Sequence, residues 1–337
     1  MTDTPTRTEP ADWATDQEVR WCPGCGDYSI LTAMRMLMPE LEVDREKTVF
    51  ISGIGCAARF PYYMNTYGMH GIHGRAPAIA TGLAMARPDL DIWVIGGDGD
   101  MMSIGGNHLI HALRRNVNLK ILLFNNMIYG LTKGQFSPTS EVGKVTKSSP
   151  MGSLDAPFNP VSVALGAEAS FVARTHAMDR QHMREMFRRA HEHKGASIVE
   201  VFQNCNVFND GAFEGITKKQ NRDGNLISLE QGKPIKFGAD GEFGVVVENG
   251  AAKIVAVADV GEAALLVHDE TKADPSTAFM LSRLSRGPIE PTPIGVFRAI
   301  ERIEYATSST AQLAMAQNDK GSGELSSLLR SRGTWQV

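Results

Sequence analysis

Two groups of residues in this 337-residue sequence have types and spacing suited to chemistry. The first is Asp98 in Gly97-Asp98-Gly99 and Asn126 in Asn125-Asn126. A carboxylate and a side-chain amide oxygen are hard donors. With a loop carbonyl, that of Ile128 being the best placed, they give three ligands. Two diphosphate oxygens and a water would complete octahedral Mg²⁺. Gly97 and Gly99 let backbone approach the phosphates, and a helix starting there points its N-terminus at them. The second group is the four cysteines: Cys22 and Cys25 in "WCPGCGDY", Cys56 in "GIGC", and Cys205. In a reducing compartment such thiols are metal ligands, catalytic groups or plain buried side chains before they are disulfides. A CxxC pair offers two ligands from one tight turn.

The elements that must position these residues are legible as apolar runs. "TVFIS" (48–52), "DIWVIGG" (91–97) and "LKILLFNN" (119–126) are rich in Val, Ile, Leu and Phe and end in Ser, Gly or Asn. They read as buried parallel strands. Helical patterns lie between them at 75–86 and 105–116. Two later runs, 169–174 and 196–203, flank a helical pattern over 179–193. The alternation predicts a doubly wound, mostly parallel α/β sheet over about residues 25–205. Asp98 and Asn126 are then one strand–helix–strand crossover apart and share the carboxyl edge where α/β ligands bind. After Cys205 the chain is rich in Gly, Asp and Asn, and "TPIGVFRAIERI" (292–303) reads as short helices or turns. The expected organisation is a polar arm over 1–16, a main domain over 17–210 and an extension over 211–337 that contacts a partner.

Composition narrows the class. The net charge of -4 and the pI near 6.2 give no electrostatic case for nucleic acid or an anionic membrane. No run approaches the roughly 18 to 20 apolar residues of a membrane span, and the first residues lack an apolar signal core. The cytoplasm is the expected compartment.

The pairing of Gly-Asp-Gly with Asn-Asn, each closing an apolar strand, resembles the diphosphate-binding signature of thiamine-diphosphate enzymes. "CPGCG" near the start, "GIGC" at 53–56 and a fourth Cys after a late strand resemble the β subunits of 2-oxoacid:ferredoxin oxidoreductases. "IHGRAPAIATG" (72–82), "YGLTKGQFSPTS" (129–140) and "LEQGKPIKFG" (229–238) belong to the same pattern, which is most similar to the 2-oxoglutarate branch. The similarity runs over about residues 17–300.

The resemblance implies the thiamine-diphosphate-binding fold of the diphosphate-binding domain type, with a C-terminal extension. It implies thiamine diphosphate, Mg²⁺ and one [4Fe–4S] cluster on Cys22, Cys25, Cys56 and Cys205. It implies a 2-oxoacid, coenzyme A and oxidised ferredoxin giving acyl-CoA, CO₂ and reduced ferredoxin, a reaction that also runs backward as carbon fixation. Gly55, His73, Gly97, Asp98, Gly99, Asp100, Asn126, Ile128, Gly130 and Leu131 fall to the cofactor, and Lys133, Arg59 and Leu131 to catalysis. The Glu that faces the thiamine pyrimidine belongs to an α subunit in this family. The chain is therefore expected to be half of an enzyme, most simply an (αβ)₂ heterotetramer.

Plain alternatives stand beside these readings. The cysteines are also compatible with a Cys₄ zinc site, in a non-redox thiamine decarboxylase half or in a catalytically silent scaffold. A zinc site would usually show a second CxxC, which the sequence lacks. A pyruvate or broad 2-oxoacid enzyme competes with the 2-oxoglutarate reading. Lys133 is equally a solvated loop charge, Arg59 a surface residue, Leu131 a core leucine, and His73 and Arg75 a helix start.

Overall fold

A computed structural model describes residues 8–284, 291–333 and 335. Eleven strands are present among them: β1 Thr48–Ser52, β2 Tyr67–His70, β3 Asp91–Gly97, β4 Leu119–Asn125, β5 Phe171–His176, β6 Ala196–Phe202, β7 Leu226–Leu229, β8 Lys236–Phe237, β9 Phe243–Glu248, β10 Ala251–Ala256 and β11 Thr292–Ala299. Eight of them form one sheet in the order β2-β1-β3-β4-β6-β5-β11-β7, and β8, β9 and β10 form a small antiparallel sheet. From β2 to β5 every pairing is parallel.

Side-chain alternation explains the two core faces. On one face Val49, Ile51, Ile92, Val94, Ile121 and Leu123 pack against the helices Ala76–Ala86, Gly106–Arg114 and Pro160–Gly166. On the other, Phe50, Trp93, Ile95, Leu122 and Phe124 pack against the helices Asp27–Leu37 and Arg180–Glu192. The strands are buried on both faces, so they read as continuous apolar runs. The helix Ala76–Ala86 starts at an Ala-Pro pair, with Pro in the first turn where its missing N–H costs nothing. Asp179 caps the helix Arg180–Glu192 by accepting from the His182 N–H at 3.0 Å.

One expectation is overturned. Residues 292–299, expected as short helices or turns, form β11. This strand pairs antiparallel with β5 and parallel with β7 inside the main sheet. Pro293 and Gly295 disguised it. Gly295 has φ +114°, and a Cβ there would meet the Leu229 carbonyl oxygen at 2.8 Å. The register slips between Val296 and Arg298, so the glycine serves a bulge next to a close strand contact. Strands from beyond residue 210 thus complete the same sheet that carries the earlier ones. A smaller difference is β5, which begins two residues later than the run at 169–174 suggested.

The first seven residues of the polar arm lie outside the described residues. Its remainder is pinned by Trp13, which is fully buried in the Phe50 face of the core. The Trp13 carbonyl accepts from the Asn65 N–H at 3.0 Å. Among the described residues no helix is long and apolar enough to cross a membrane. Replacing Trp13 by Ala should cost roughly 3–5 kcal/mol of stability, the range for a buried aromatic truncated in a core. Denaturant unfolding followed by circular dichroism checks this; a loss below about 1 kcal/mol would mean that the arm is not docked in solution.

Candidate active site

β3 and β4 run side by side with Gly97 opposite Phe124. The next residues of both strands therefore emerge at one edge, and a cleft of about 520 Å³ opens there, within the range of small-molecule sites. Gly97, Asp98, Gly99 and Asp100 line it from the first strand end. Asn126, Ile128, Gly130 and Leu131 line it from the second, and Gly55 and His73 from neighbouring loops.

Asp98 is fully buried. Ser137 Oγ donates to its Oδ2 at 2.5 Å, and Thr139 Oγ1 lies 2.6 Å from the same oxygen. Both hydroxyls meet Oδ2, so neither uses Oδ1. Burial still pushes the Asp98 carboxyl up to about 6, against the pull of those hydroxyls. Sequence reasoning missed Ser137 and Thr139, because a turn closed by the Ser140 N–H to Ser137 carbonyl bond at 3.0 Å is what brings both hydroxyls to Asp98.

The two asparagines diverge. Asn125 turns into the core, where its amide donates to Glu200 Oε1 at 2.7 Å and Glu200 pairs with the buried Arg174 at 2.6 Å. Asn126 is left to the cleft. Its Oδ1 accepts from the Ile128 N–H at 3.2 Å, which orients the amide and leaves a second lone pair. Asn209 donates to the Asn126 carbonyl at 2.9 Å.

Asp100 is the other buried acid of the edge. Its Oδ1 accepts from the N–H groups of Ile54 and Gly74 at 3.1 and 2.7 Å and lies 2.8 Å from His73 Nδ1. Its Oδ2 is buried without a partner. Burial raises its pKa, and the donors and His73 oppose the rise. Arg75 lines neither this cleft nor the cavity beside the cysteines; its guanidinium is directed at the carbonyls of His73 and Ile104. Close to Gly99, Tyr129 donates to the Gly99 carbonyl at 3.0 Å, and a Cβ on Gly99 would fall 2.2 Å from the Tyr129 ring. The loop can therefore close on the strand end only over glycine.

The four cysteines line a second cavity of about 220 Å³. It shares Cys56, Asn126, Gly130 and Leu131 with the cleft. The Cys25 N–H to Cys22 carbonyl bond, 3.0 Å, closes the CxxC turn, and Gly24 takes φ +83° there. Gly130 separates the two spaces: a Cβ on it would lie 3.4 Å from Cys56 Sγ and 3.6 Å from Cys205 Sγ. Arg59 and Lys133 line this cavity and not the larger cleft. In the hairpin over 129–135, closed by the Tyr129–Gln135 pairing, Tyr129, Gly130, Leu131, Thr132 and Gln135 line the cleft. Lys133 has φ +78°, an uncommon backbone conformation for a side chain of this size.

Burial pushes the Cys56 thiol up to about 12 and the Cys25 thiol further, with the buried Asp27 carboxyl adding to both. Asp27 itself is pushed up to about 7 by burial. Such thiols ionise only if a cation replaces their protons, as metals do. Among the described residues no three Cys, His, Asp or Glu side chains converge to hold one ion. The four thiols line one cavity, and Gly130, without a Cβ, leaves room on its inner side, so the donor set suits a centre held by four thiolates. The cleft likewise suits a diphosphate with a divalent cation: it offers an acid with one oxygen clear of the hydroxyls, an oriented amide oxygen and glycine backbone.

Residues 53–201 match the thiamine pyrophosphate enzyme family, C-terminal TPP binding domain. The 2-oxoglutarate oxidoreductase subunit KorB of Mycobacterium tuberculosis is 56% identical over 99% of this chain and 90% of that protein. The β subunit of 2-oxoacid:ferredoxin oxidoreductase 1 of Aeropyrum pernix is 43% identical over 59% of this chain and 63% of its own length. Among solved structures, a 2-oxoglutarate:ferredoxin oxidoreductase from Magnetococcus marinus, with 2-oxoglutarate, coenzyme A and succinyl-CoA bound, superposes with a TM-score of 0.76. It is 31% identical, over 99% of this chain and 98% of the other.

The Asp98 environment has a pH signature. Its folded pKa near 6 lies above the unfolded value of 3.8. The ligand-free fold therefore binds the extra proton, and it loses stability as pH rises from about 4 through 6. Asp98→Asn should make the ligand-free protein more stable than wild type at pH 7, with the gain vanishing near pH 4. Thermal melts across that range check this, and a gain that does not depend on pH would contradict it. Adding Mg²⁺ and thiamine diphosphate at pH 7 should reverse the order, stabilising wild type and not the variant.

Proposed function

The chain belongs to the β subunits of the 2-oxoacid:ferredoxin oxidoreductases, and we propose that it serves the coenzyme A-dependent, reversible oxidation of 2-oxoglutarate to succinyl-CoA and CO₂. Two electrons leave per turnover, one at a time, to ferredoxin. The observation that carries this reading is the shared wall of Cys56, Asn126, Gly130 and Leu131 between a diphosphate-type cleft and a four-cysteine cavity. A non-redox thiamine enzyme has no use for that adjacency.

When bound, thiamine diphosphate supplies the nucleophilic carbon and electron sink that 2-oxoacid decarboxylation needs, and a [4Fe–4S] cluster accepts single electrons. The chain's own residues hold and orient. Asp98, Asn126 and the Ile128 carbonyl hold Mg²⁺ on the diphosphate, with Ser137 and Thr139 fixing the Asp98 rotamer. Gly97 and Gly99 bring backbone against the phosphates. Cys22, Cys25, Cys56 and Cys205 are the cluster ligands. Leu131, half-exposed on the cleft wall, would pack against the bound cofactor and support its bent form. The acid facing the pyrimidine comes from an α subunit closing the cleft, in an (αβ)₂ assembly. Ferredoxin is the acceptor, and the cytoplasm, which keeps the four thiols reduced, is the compartment that suits it.

The 2-oxoglutarate assignment is supported by the mycobacterial relative and by the compounds named for the Magnetococcus structure. Lys133 is the residue of this chain assigned to the distal carboxylate, which 2-oxoglutarate has and pyruvate lacks. It lines the cysteine cavity, two residues beyond Leu131, which stands on the wall where the two cavities meet. A charge-assisted hydrogen bond of about 1.5–3 kcal/mol corresponds to roughly ten- to a hundredfold in affinity.

Two tests follow. The chain co-purified anaerobically with its α subunit should be brown and hold about four irons and four sulfides per β chain, by the cluster's stoichiometry; Ser at any one of the four cysteines should deplete them. Zinc without visible absorption would defeat the redox reading. With that complex, Lys133→Met should raise KM for 2-oxoglutarate about tenfold or more and leave 2-oxobutyrate little changed. Equal losses on both substrates would place Lys133 with the cofactor or the cluster.

A further inference from the structure

Cys25 differs from the other three cysteines in having a buried side-chain donor on its sulfur. Gln203 follows the last residue of β6 and is almost completely buried. Its Nε2 lies 3.0 Å from Cys25 Sγ and 2.9 Å from the Asn204 carbonyl oxygen. The second contact fixes the amide orientation: a carbonyl only accepts, so the group facing it must be the NH₂. With two protons, Nε2 serves both contacts. Its Oε1 is buried without a partner, so the side chain is held in place for its donor end. Gly26 permits the approach, since a Cβ there would fall 2.9 Å from Gln203 Cγ. The backbone is tied as well. The Gln203 N–H donates to the Asn125 carbonyl at 2.9 Å, and the Gly26 N–H donates to the Asn204 carbonyl at 3.2 Å.

We propose that Gln203 donates an N–H···S hydrogen bond to the Cys25 thiolate in the loaded protein and thereby sets the reduction potential of the cluster. The proposal rests on the cluster assignment above. Reduction adds negative charge that spreads onto the ligand sulfurs. A donor aimed at one of them stabilises the reduced form more than the oxidised form, and so raises the potential. The effect is largest where water does not compete, and Gln203 lies inside the fold while Cys22 is exposed. Gln203 neither lines the thiamine cleft nor ligates iron, so its action is on the potential and not on cofactor binding.

The test is an EPR-monitored redox titration of the anaerobic complex with its α subunit, alongside iron analysis. Gln203→Leu keeps the bulk and removes the donor; it should retain iron and shift the midpoint potential downward. Gln203→Glu, which puts an acceptor where the donor was, should shift it further in the same direction. Full iron content with an unchanged or raised potential in the Leu variant would overturn the proposal. If that variant loses iron, wild-type protein carrying ¹⁵N-glutamine decides: a ¹⁵N hyperfine coupling to the reduced cluster that is lost in Gln203→Glu supports the bond, and its absence from wild type overturns it. Wild-type protein without iron–sulfur absorption would defeat the cluster assignment itself, and this inference with it.

Discussion

The peptide from Gln203 to Asn206 is bonded on both of its sides to the parts that matter. Gln203 donates from its backbone to Asn125 at the end of β4. Asn204 accepts from Gly26, just past the CxxC turn, and the Asn206 amide donates to the Pro23 carbonyl inside that turn at 2.6 Å. Cys205 stands between them. The turn after β6 thus fixes the distance between the diphosphate edge of the sheet and the cysteine cavity. β6 is next to β4 in the sheet, with all seven of its residues buried, so this clamp is anchored in the most constrained part of the core. The one-electron transfer proposed between two cofactors would require such a fixed separation, and hydrogen-bonded backbone supplies it better than a flexible loop.

Electrostatics give the second constraint. Asp27, Asp98 and Asp100 are buried acids around one cleft, and burial raises the pKa of each. Hydroxyls, backbone N–H groups and His73 offset part of the cost. None of these offsets supplies a full compensating cation at Asp98, and a buried anion without one destabilises a fold. The Asp98 position is explicable as a ligand held ready, at a standing cost to the ligand-free protein. Arg174 and Glu200 show the contrast: their ion pair is complete within the chain and serves to hold Asn125.

Much of this was legible in the sequence, for a physical reason. Parallel strands buried on both faces leave unbroken apolar runs, so β1, β3, β4 and β6 announce their ends, and those ends carry Asp98, Asn126 and Cys205. β11 was not legible, because Pro293 and Gly295 imitate a turn while sheet neighbours and a bulge stabilise a strand. The hydroxyl pair on Asp98 and the Gln203 amide on Cys25 were also invisible. Both depend on where a loop folds back in space, which no local periodicity encodes. The placement of Lys133 on the cysteine side of the hairpin likewise followed from its φ of +78° and the Tyr129–Gln135 pairing, not from its distance along the chain from Asn126.

The central claim is that the cleft at Asp98 and Asn126 and the cavity of the four cysteines form one electron path. It is tested most directly by mixing the anaerobic, cofactor-loaded complex with 2-oxoglutarate alone, without coenzyme A or ferredoxin, and freezing it for EPR. The account predicts that one electron per active site reaches the iron–sulfur centre, giving the spectrum of a reduced [4Fe–4S] cluster as CO₂ is released. Release of CO₂ with the iron–sulfur centre still oxidised would show that the two sites do not communicate and would contradict it.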